Sequence, residues 1–270
     1  MLQAAAIQMV SGTALQDNLD AARELLAQAA RQGAELAVLP EYFCLMGQRD
    51  TDKLAVREAF GEGAVQRFLA SAAREFGLWI VGGTLPLVAG DEAHVRNTSL
   101  AYSPAGECVA RYDKIHLFRF DNGRENYDEA RVIERGAEPV AFELPARDGR
   151  VWRIGLSVCY DLRFPELYRA LAADVLLVPS AFTHVTGQAH WELLLRARAV
   201  ENLAYVVAPA QGGVHQNGRR TWGHSMLVDP WGQVLARREE EGAGVVCAPL
   251  DADRLAQVRQ QLPALTHRVL

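Results

Sequence analysis

The stretch VWRIGLSVCYDLRFPELYRALA (residues 151–172) joins two secondary-structure patterns through one cysteine. Residues 151–158 are mainly apolar, as expected of a strand buried on both faces, and a helix that begins at Pro165 is predicted to run to about Ala172. Cys159 lies at the turn between them. A strand followed closely by a helix is the repeating unit of α/β proteins, in which neighbouring strands pair in parallel.

The same alternation extends through most of the chain. Further strands are predicted over residues 4–10, 36–39, 78–82, 175–178 and 204–209, and further helices over 17–31, 63–76 and 190–202. Two antiparallel hairpins are predicted to turn at Ser103-Pro104-Ala105-Gly106 and at Asp229-Pro230-Trp231-Gly232. Because no linker of low complexity divides the chain, we predict one domain over residues 1–270.

The composition excludes several classes of protein. Half of the 270 residues are hydrophobic and 23% are charged, which predicts a sizeable core and argues against disorder. A net charge of −5 without a basic cluster argues against nucleic-acid and membrane-surface partners, and no apolar run has the length of a membrane span. The four cysteines are scattered and no signal peptide is evident, so we expect a reduced, cytoplasmic protein.

Cys159 is the most informative single residue. A thiol at a strand-to-helix turn is exposed at the carboxyl edge of a sheet, where α/β proteins bind ligands, and a helix N-terminus favours the thiolate. The alternative is a small buried hydrophobe, the usual role of a free cysteine. Cys44, Cys108 and Cys247 are predicted to be packing residues, Cys44 at most a pocket wall.

Three charged residues follow predicted strands or lie in a nearby loop. Glu41 emerges from the strand 36–39 through Pro40, and burial there would raise its pKa towards that of a general base. Lys114 follows a hairpin strand, where an ammonium can stabilise an oxyanion. Glu129 lies in a polar loop. Taken singly, each is better explained as a solvated surface charge.

Metal and nucleotide motifs are weak or incomplete. His190-Trp191-Glu192 lacks the second histidine of HExxH, and the paired glycines form neither G-x-G-x-x-G nor a P-loop. Residues 155–159 lack the final glycine of G-x-S-x-G, so Ser157 is interpreted as a packing residue. His190 and His224 receive no chemical role, and no metal is predicted.

Together, these residues and their surroundings resemble the nitrilase superfamily of carbon–nitrogen hydrolases over nearly the whole chain. The motifs that carry the resemblance are Leu39-Pro40-Glu41, Tyr112-Asp113-Lys114-Ile115-His116-Leu117 and the segment from Gly155 to Glu166. The segments 179–183, 186–192, 196–202 and 223–232 are similar to the Nit branch of amidases, closest to the deaminated glutathione amidases.

The resemblance implies a fold, a site and a mechanism. The fold is a four-layer αββα sandwich that commonly pairs with a second subunit through helices, so a homodimer or higher homo-oligomer is expected. Cys159 is expected to attack an amide carbonyl and Glu41 to act as acid and base. Lys114 and the backbone N–H of Tyr160 are expected to hold the oxyanion, and Glu129 to orient Lys114 or the amide. No cofactor is needed for this chemistry.

The expected substrate is a small amide that carries carboxylates, of the deaminated glutathione type. Phe182 and Thr183 are candidate substrate contacts, as are Arg219 and Arg220 in a loop, whereas Arg163 is expected to brace the turn at Cys159. Alternatives are an ω-amidase acting on α-ketoglutaramate, an N-carbamoyl amide hydrolase, a nitrile-hydrolysing enzyme, or a catalytically silent binding protein.

Overall fold

The computed structural model describes residues 1–269, which form two main β-sheets and two short ribbons. The strands are β1 (Leu2–Gln8), β2 (Leu36–Val38), β3 (Trp79–Val81), β4 (Leu85–Val88), β5 (Val95–Tyr102), β6 (Cys108–Asp113), β7 (Arg119–Asp121), β8 (Asn126–Asp128), β9 (Ala141–Pro145), β10 (Val151–Leu156), β11 (Val175–Leu177), β12 (Tyr205–Ala208), β13 (Gly212–Val214), β14 (Arg220–Trp222), β15 (Met226–Val228), β16 (Val234–Arg237) and β17 (Gly244–Leu250). The α-helices are α1 (Leu15–Arg31), α2 (Asp52–Ala55), α3 (Ala64–Phe76), α4 (Pro165–Leu171), α5 (His184–Asn202) and α6 (Ala252–Gln261). Short 3₁₀ turns cover Glu129–Arg131, Cys159–Arg163 and Ala264–Thr266.

Each main sheet has a parallel centre and antiparallel edges. The first sheet runs β17-β1-β2-β3-β5-β4, with β6 also paired to β5, and its parallel pairs are β1–β2 and β2–β3. The second sheet runs β16-β15-β12-β11-β10-β9, with β10, β11 and β12 parallel. Both predicted hairpins are present, as β5–β6 and β15–β16. The predicted combination of parallel units with antiparallel hairpins is therefore confirmed.

The alternation of side chains along β1 shows how the layers are stacked. Ala4 and Ala6 belong to the core that contains the second sheet, whereas Ala5 and Ile7 pack with residues of α1 and α3 on the other face. Helices α4 and α5 bury Leu167 and Trp191 against the second sheet. The order is helices, sheet, sheet, helices, so the expected αββα sandwich is confirmed.

The predicted element boundaries agree with the structure to within two residues except at α5. This helix begins at His184, not at His190. The first turns lack an apolar stripe because they face a cavity and an aromatic side chain instead of the sheet. Thr186 lines that cavity, and a Cβ on Gly187 would lie 2.2 Å from the Cβ of Trp222.

Strand β17 and helix α6 were not predicted. Pro249 lies within β17, and proline usually interrupts a strand because it lacks a backbone N–H. Here β17 is the edge strand of the first sheet and pairs on one side only, with β1, which is the position where sheets tolerate proline. The tertiary position of the strand thus overrides the local signal.

Candidate active site

Glu41 follows β2 and is buried at the junction of the two sheets, with 1% of its surface exposed. Its Oε1 accepts hydrogen bonds from Lys114 Nζ at 2.8 Å and from Asn97 Nδ2 at 3.0 Å. Its Oε2 accepts one from the backbone N–H of Ala181 at 3.0 Å, across the sandwich. A carboxylate with three donors has a single orientation, with its edge towards the thiol described below.

The loop that carries Glu41 requires a glycine opposite it. Gly83 has a φ of +47°, and a Cβ at this position would lie 1.9 Å from the carbonyl oxygen of Pro40. Only glycine combines this left-handed conformation with so close an approach of two backbones. Gly83 therefore allows the segment Leu39–Glu41 to turn tightly after the strand.

Lys114 follows β6 and is 1% exposed. Its Nζ donates to Glu41 Oε1 at 2.8 Å and to the two carboxylate oxygens of Glu129 at 3.0 and 2.8 Å. Burial opposes the charged ammonium, but the two carboxylates outweigh it and raise the pKa of Lys114. The side chain is therefore a fixed cation between two acids.

Glu129 begins the 3₁₀ turn after β8 and is largely buried, with 14% of its side chain exposed. Besides Lys114, its carboxylate accepts from the phenol of Tyr42 at 2.7 Å and from the backbone N–H of Phe118 at 2.7 Å. Burial alone would raise its pKa, but Lys114 and these donors lower it. Glu129 is therefore an ionised carboxylate in the folded protein.

Cys159 begins the 3₁₀ turn that follows β10 and is 8% exposed. Its backbone has a φ of +50°, a left-handed conformation unusual for a residue with a side chain, and its N–H donates to Pro179 O at 2.9 Å. Strain of this kind costs about 1–3 kcal/mol and occurs preferentially at functional sites. It points the sulfur into the cavity that Glu41 and Glu129 also line.

The expected stabilisation of the thiolate by a helix N-terminus is wrong. Burial raises the pKa of Cys159 well above its usual range, and the carboxylate of Glu41 raises it further, while Lys114 acts in the opposite direction. The element after Cys159 is a single 3₁₀ turn, which supplies little dipole. The resting site therefore holds a neutral thiol beside a carboxylate.

Asp161 joins the segment of the lysine to the segment of the cysteine. Its buried carboxylate accepts from the phenol of Tyr112 at 2.7 Å and from the backbone N–H of Val158 at 2.8 Å. It also accepts from His116, through the backbone N–H at 3.0 Å and the ring Nδ1 at 2.7 Å. Two of the donor residues, Tyr112 and His116, lie on either side of Lys114 in the chain, and the third, Val158, precedes Cys159. Asp161 therefore fixes the relative position of the lysine and the cysteine.

The cavity at Cys159 opens to solvent, and about 290 Å³ of space in it and at its mouth is free of protein atoms. We call it the catalytic cavity; it is lined by Glu41, Phe118, Glu129, Cys159, Tyr160, Arg163, Ala181, Phe182, Thr183, Thr186 and Arg219. Two guanidinium groups, those of Arg163 and Arg219, face the same space as the acids. The cavity thus combines a thiol, two carboxylates and positive charge.

Most of the residues singled out in the sequence meet here. Glu41, Lys114, Glu129 and Cys159 lie together, and Tyr160, Phe182, Thr183 and Arg219 line the same cavity. Arg220 does not: it begins β14, and its exposed side chain pairs with Glu241 at 2.7 Å.

The structure also changes the interpretation of Arg163. It was expected only to brace the turn, but its guanidinium reaches the cavity wall, 5.7 Å from the centre of the Phe182 ring. His190 Nδ1 lies 3.3 Å from an Arg163 nitrogen. Thr186 and Phe118 were not predicted as lining residues, since neither is distinguished by a local motif.

The remaining candidates have packing roles. His224 stacks on Trp222 with ring centres 4.2 Å apart, and Ser157 donates to Leu177 O at 2.8 Å. Cys44 is buried in the layer between the first sheet and its helices, outside the catalytic cavity. Within residues 1–269, no cluster of three or more His, Cys, Asp or Glu side chains is arranged to hold a metal ion.

Comparison with known proteins places this geometry in a family. Residues 3–260 match the family model described as carbon-nitrogen hydrolase. The chain belongs to the carbon-nitrogen hydrolase family. It is therefore a hydrolase that acts on carbon–nitrogen bonds other than peptide bonds, and its resemblance to the nitrilase superfamily is confirmed.

Individual relatives agree with this family. The chain is 45% identical to the deaminated glutathione amidase of Synechocystis over 98% of its own length and 97% of the relative's. It is also similar to the crystal structure of the Caenorhabditis elegans NitFhit protein, with a TM-score of 0.89 and 36% identity over 99% of this chain; it spans 65% of that longer protein. Nit3 of Saccharomyces cerevisiae, a member of branch 10 of the nitrilase superfamily, has a TM-score of 0.86 and 29% identity, with 100% and 97% of the two chains covered.

Among the helices of residues 1–269, none combines the length and the apolar character that crossing a membrane requires.

Proposed function

We propose that this hydrolase cleaves a small, carboxylate-bearing amide of the deaminated glutathione type through a thioester on Cys159. One observation carries the proposal. The thiol of Cys159 and the carboxylate of Glu41 face one buried cavity, while the Lys114 ammonium lies 2.8 Å from that carboxylate. A nucleophile, a proton acceptor and a cation for an oxyanion are the groups that amide hydrolysis requires.

In the first half of the reaction, the sulfur of Cys159 bonds to the amide carbon while Glu41 takes the thiol proton. Because the pKa of the thiol is raised, proton transfer accompanies the attack instead of preceding it. The carbonyl oxygen becomes an oxyanion, held by Lys114 and the backbone N–H of Tyr160. The carbon–nitrogen bond then breaks as Glu41 gives its proton to the departing amine, which leaves a thioester.

In the second half, water replaces the amine. Glu41 takes one proton from the water as its oxygen bonds to the thioester carbon, and the oxyanion forms again beside Lys114. Collapse of this intermediate expels the sulfur, which recovers a proton from Glu41. The products are a carboxylic acid and an amine, and the enzyme returns to its starting state.

Glu129 is proposed to position Lys114. Both of its oxygens accept from Nζ, and Tyr42 and the Phe118 N–H hold the carboxylate from the other side. A lysine has three N–H donors, so an oxyanion takes the place of one of its contacts to Glu129. The remaining contacts keep the ammonium oriented during the reaction.

The substrate class follows from the walls of the cavity. Arg163 provides positive charge that matches a carboxylate on the acyl half, and guanidinium–carboxylate pairing is strong and directional. Phe182 offers an apolar face to the carbon chain, and Thr183 a hydroxyl within the same wall. The acyl half of deaminated glutathione, a keto acid chain that ends in one free carboxylate, combines these features.

A substrate panel tests this proposal. We expect purified enzyme to release 2-oxoglutarate from deaminated glutathione with a higher kcat/KM than from α-ketoglutaramate, and to release least ammonia from an N-carbamoyl amino acid. Preference for α-ketoglutaramate or the carbamoyl compound makes the enzyme an ω-amidase or a carbamoyl hydrolase. If none of these amides is turned over, the proposed substrate class is wrong.

The nucleophile is tested by trapping. In the variant Glu41→Gln the thioester forms slowly and cannot be hydrolysed efficiently, so intact-protein and peptide mass spectrometry should find the acyl group on Cys159. Cys159→Ala is the matched control and should carry no added mass. Acylation of Cys44 in either variant would show that the nucleophile is Cys44 and not Cys159.

We also propose a homodimer formed through α5, acting in the cytoplasm. Leu193 and Val200 lie seven residues apart on one face of the helix and are 68% and 45% exposed, and Trp231 nearby in the β15–β16 turn is 55% exposed. The four free cysteines suit a reducing compartment. Light scattering should give twice the chain mass, and Leu193→Asp should reduce it to one chain.

A further inference from the structure

Lysine is rare in this chain, and both lysines are at the candidate site. Of 28 basic residues only Lys53 and Lys114 are lysine; the rest are arginine. Lys114 lies between the two acids, whereas Lys53 has no place in the mechanism described above. It lies on α2, and 15% of its side chain is exposed.

The ammonium of Lys53 is poorly neutralised for a group so buried. Its nearest carboxylate oxygen belongs to Asp50, at 3.7 Å, and that side chain is 73% exposed. Its other contacts are the Tyr42 ring, 4.9 Å away, and the Asp50 carbonyl oxygen at 3.5 Å. Burial lowers the pKa of Lys53, as expected when a cation lacks a close partner.

Arg219 is a second cation with an unused donor. Its Nε is buried and has no hydrogen-bond partner, while one terminal nitrogen donates to Ala181 O at 3.1 Å. Its guanidinium lies over the Tyr127 ring at 5.0 Å. A buried donor without an acceptor costs about 1–3 kcal/mol, so this guanidinium favours an acceptor beside it.

Lys53 and Arg219 face one chamber beside the catalytic cavity. This distal chamber opens to solvent, and about 370 Å³ in it and at its mouth is free of protein atoms; it is lined by Tyr42, Asp50, Lys53, Phe118, Tyr127, Asp128, Glu129, Val132, Ile133 and Arg219. Phe118, Glu129 and Arg219 also line the catalytic cavity, so the two spaces adjoin at these residues. Glu129, their shared acid, is already paired with Lys114.

We propose that the distal chamber binds a carboxylate on the amine half of the substrate, with Lys53 and Arg219 as its partners. This inference rests on the proposed function and names the leaving group: an amine that itself carries a carboxylate, as a small peptide does. Asp50 and Asp128 also line the chamber and weaken its attraction for anions, which is why both cations are needed.

The positions of Glu41 and Glu129 indicate which half of the substrate lies in which cavity. The departing nitrogen receives its proton from Glu41, and Glu129 and Tyr42 lie next to Glu41, on the side of the distal chamber. The amine half therefore extends past Glu129 into that chamber. The acyl half remains against Phe182 and Arg163, in the catalytic cavity.

Two substrates that differ at one group test the proposal. Deaminated glutathione ends in a carboxylate on its amine half, and its terminal carboxamide analogue is the neutral match. We expect the wild-type enzyme to prefer the carboxylate by about tenfold in kcat/KM, as for a charge-assisted pair. Equal rates on the two substrates overturn the proposal without any variant.

The variant Lys53→Met keeps the length and apolar stem of the side chain and removes its charge. We expect it to reduce the carboxylate-to-carboxamide ratio about tenfold. Arg220→Gln is the control, because it removes one charge from the neighbouring residue, which pairs with Glu241 outside both cavities; its ratio should stay within about twofold of wild type. An equal loss on both substrates, with the ratio unchanged, assigns Lys53 a structural role and overturns the proposal.

Binding measurements separate this proposal from the proposed function. By calorimetry, Cys159→Ala protein should bind deaminated glutathione about tenfold more tightly than the carboxamide, and adding Lys53→Met should abolish the difference. If the enzyme turns over neither substrate but this difference is found, the function is wrong and the chamber is supported. Turnover without any difference in affinity supports the proposed function and overturns the proposal for the distal chamber.

Discussion

The carboxylate of Asp161 accepts a 2.7 Å hydrogen bond from the phenol of Tyr112 inside the core, where neither side chain is exposed. Tyr112 belongs to β6 in the first sheet, and Asp161 follows β10 in the second. The bond therefore joins the strand that precedes Lys114 to the turn that presents Cys159. The spacing of the candidate nucleophile and cation depends on this connection between sheets.

Asp161→Asn should lower kcat much more than it changes KM. The amide cannot accept all four hydrogen bonds, so the cysteine turn and the lysine segment lose their common anchor, while the residues that line the cavity remain. We expect about 2–4 kcal/mol of destabilisation and at least a tenfold lower kcat. Steady-state kinetics and thermal unfolding measure both. The control is Asp174→Asn, at a half-buried carboxylate outside the cavity, which should leave kcat within about twofold of wild type. A loss of stability in Asp161→Asn with normal kcat contradicts the role of Asp161 in positioning Lys114 and Cys159.

Glu41→Gln should lower the pKa of Cys159. The Glu41 carboxylate raises this pKa and Lys114 lowers it, so removing the negative charge leaves the ammonium to favour the thiolate. Thiolate absorbance near 240 nm should therefore increase at a lower pH in Glu41→Gln than in the wild type, with Cys159→Ala variants as baselines. Titration at the same or a higher pH in Glu41→Gln is incompatible with direct electrostatic contact between these two groups.

Lys114→Met should reverse the effect of mild acid on stability. In the wild type the pKa of Glu129 is lowered, so the ionised carboxylate stabilises the folded protein fully above the unfolded-state pKa of about 4.3. This stabilisation is lost as the pH falls further. Without Lys114, burial dominates and raises the pKa of Glu129, so protonation relieves a buried charge. We expect a loss of about 3–5 kcal/mol at pH 7. The unfolding temperature of Lys114→Met should increase from pH 7 to pH 5, whereas that of the wild type should not; an unchanged or lower value in the variant refutes this account.

Gly83→Ala should be far more damaging than Gly77→Ala. Both glycines have positive φ, +47° and +61°, but a Cβ on Gly83 meets the Pro40 backbone at 1.9 Å whereas one on Gly77 has no heavy atom within 4 Å. Gly77→Ala should cost about 1–2 kcal/mol, the price of the left-handed conformation alone. Gly83→Ala should cost more and should also lower kcat, because the loop carrying Glu41 must shift. Equal effects in unfolding and kinetics show that the close approach does not matter.

The sequence predicts the strands and helices well where their signal is local. The apolar runs at β2, β10 and β11 and the turn chemistry of both hairpins depend on adjacent residues, and these elements agree with the structure to within two residues. The signal fails where the surroundings are decided at long range, as for Pro249 at a sheet edge or for the first turns of α5 beside a cavity.

Local sequence patterns predicted an α/β domain with antiparallel hairpins and the residues that follow its strands, Glu41, Lys114 and Cys159, because strand periodicity and position in a motif are properties of neighbouring residues. The four-layer αββα arrangement followed only from the resemblance to the nitrilase superfamily. The contacts and the burial of these residues are set only by the tertiary structure. Glu41 and Lys114 are 73 positions apart, and their 2.8 Å contact exists only once the sheets have packed. Packing also buries Cys159, and this burial raises the pKa of its thiol. The thiol is therefore neutral, whereas the local helix argument favoured a thiolate. The tertiary structure likewise separated two neighbouring arginines, since Arg219 lines the catalytic cavity and Arg220 pairs with Glu241.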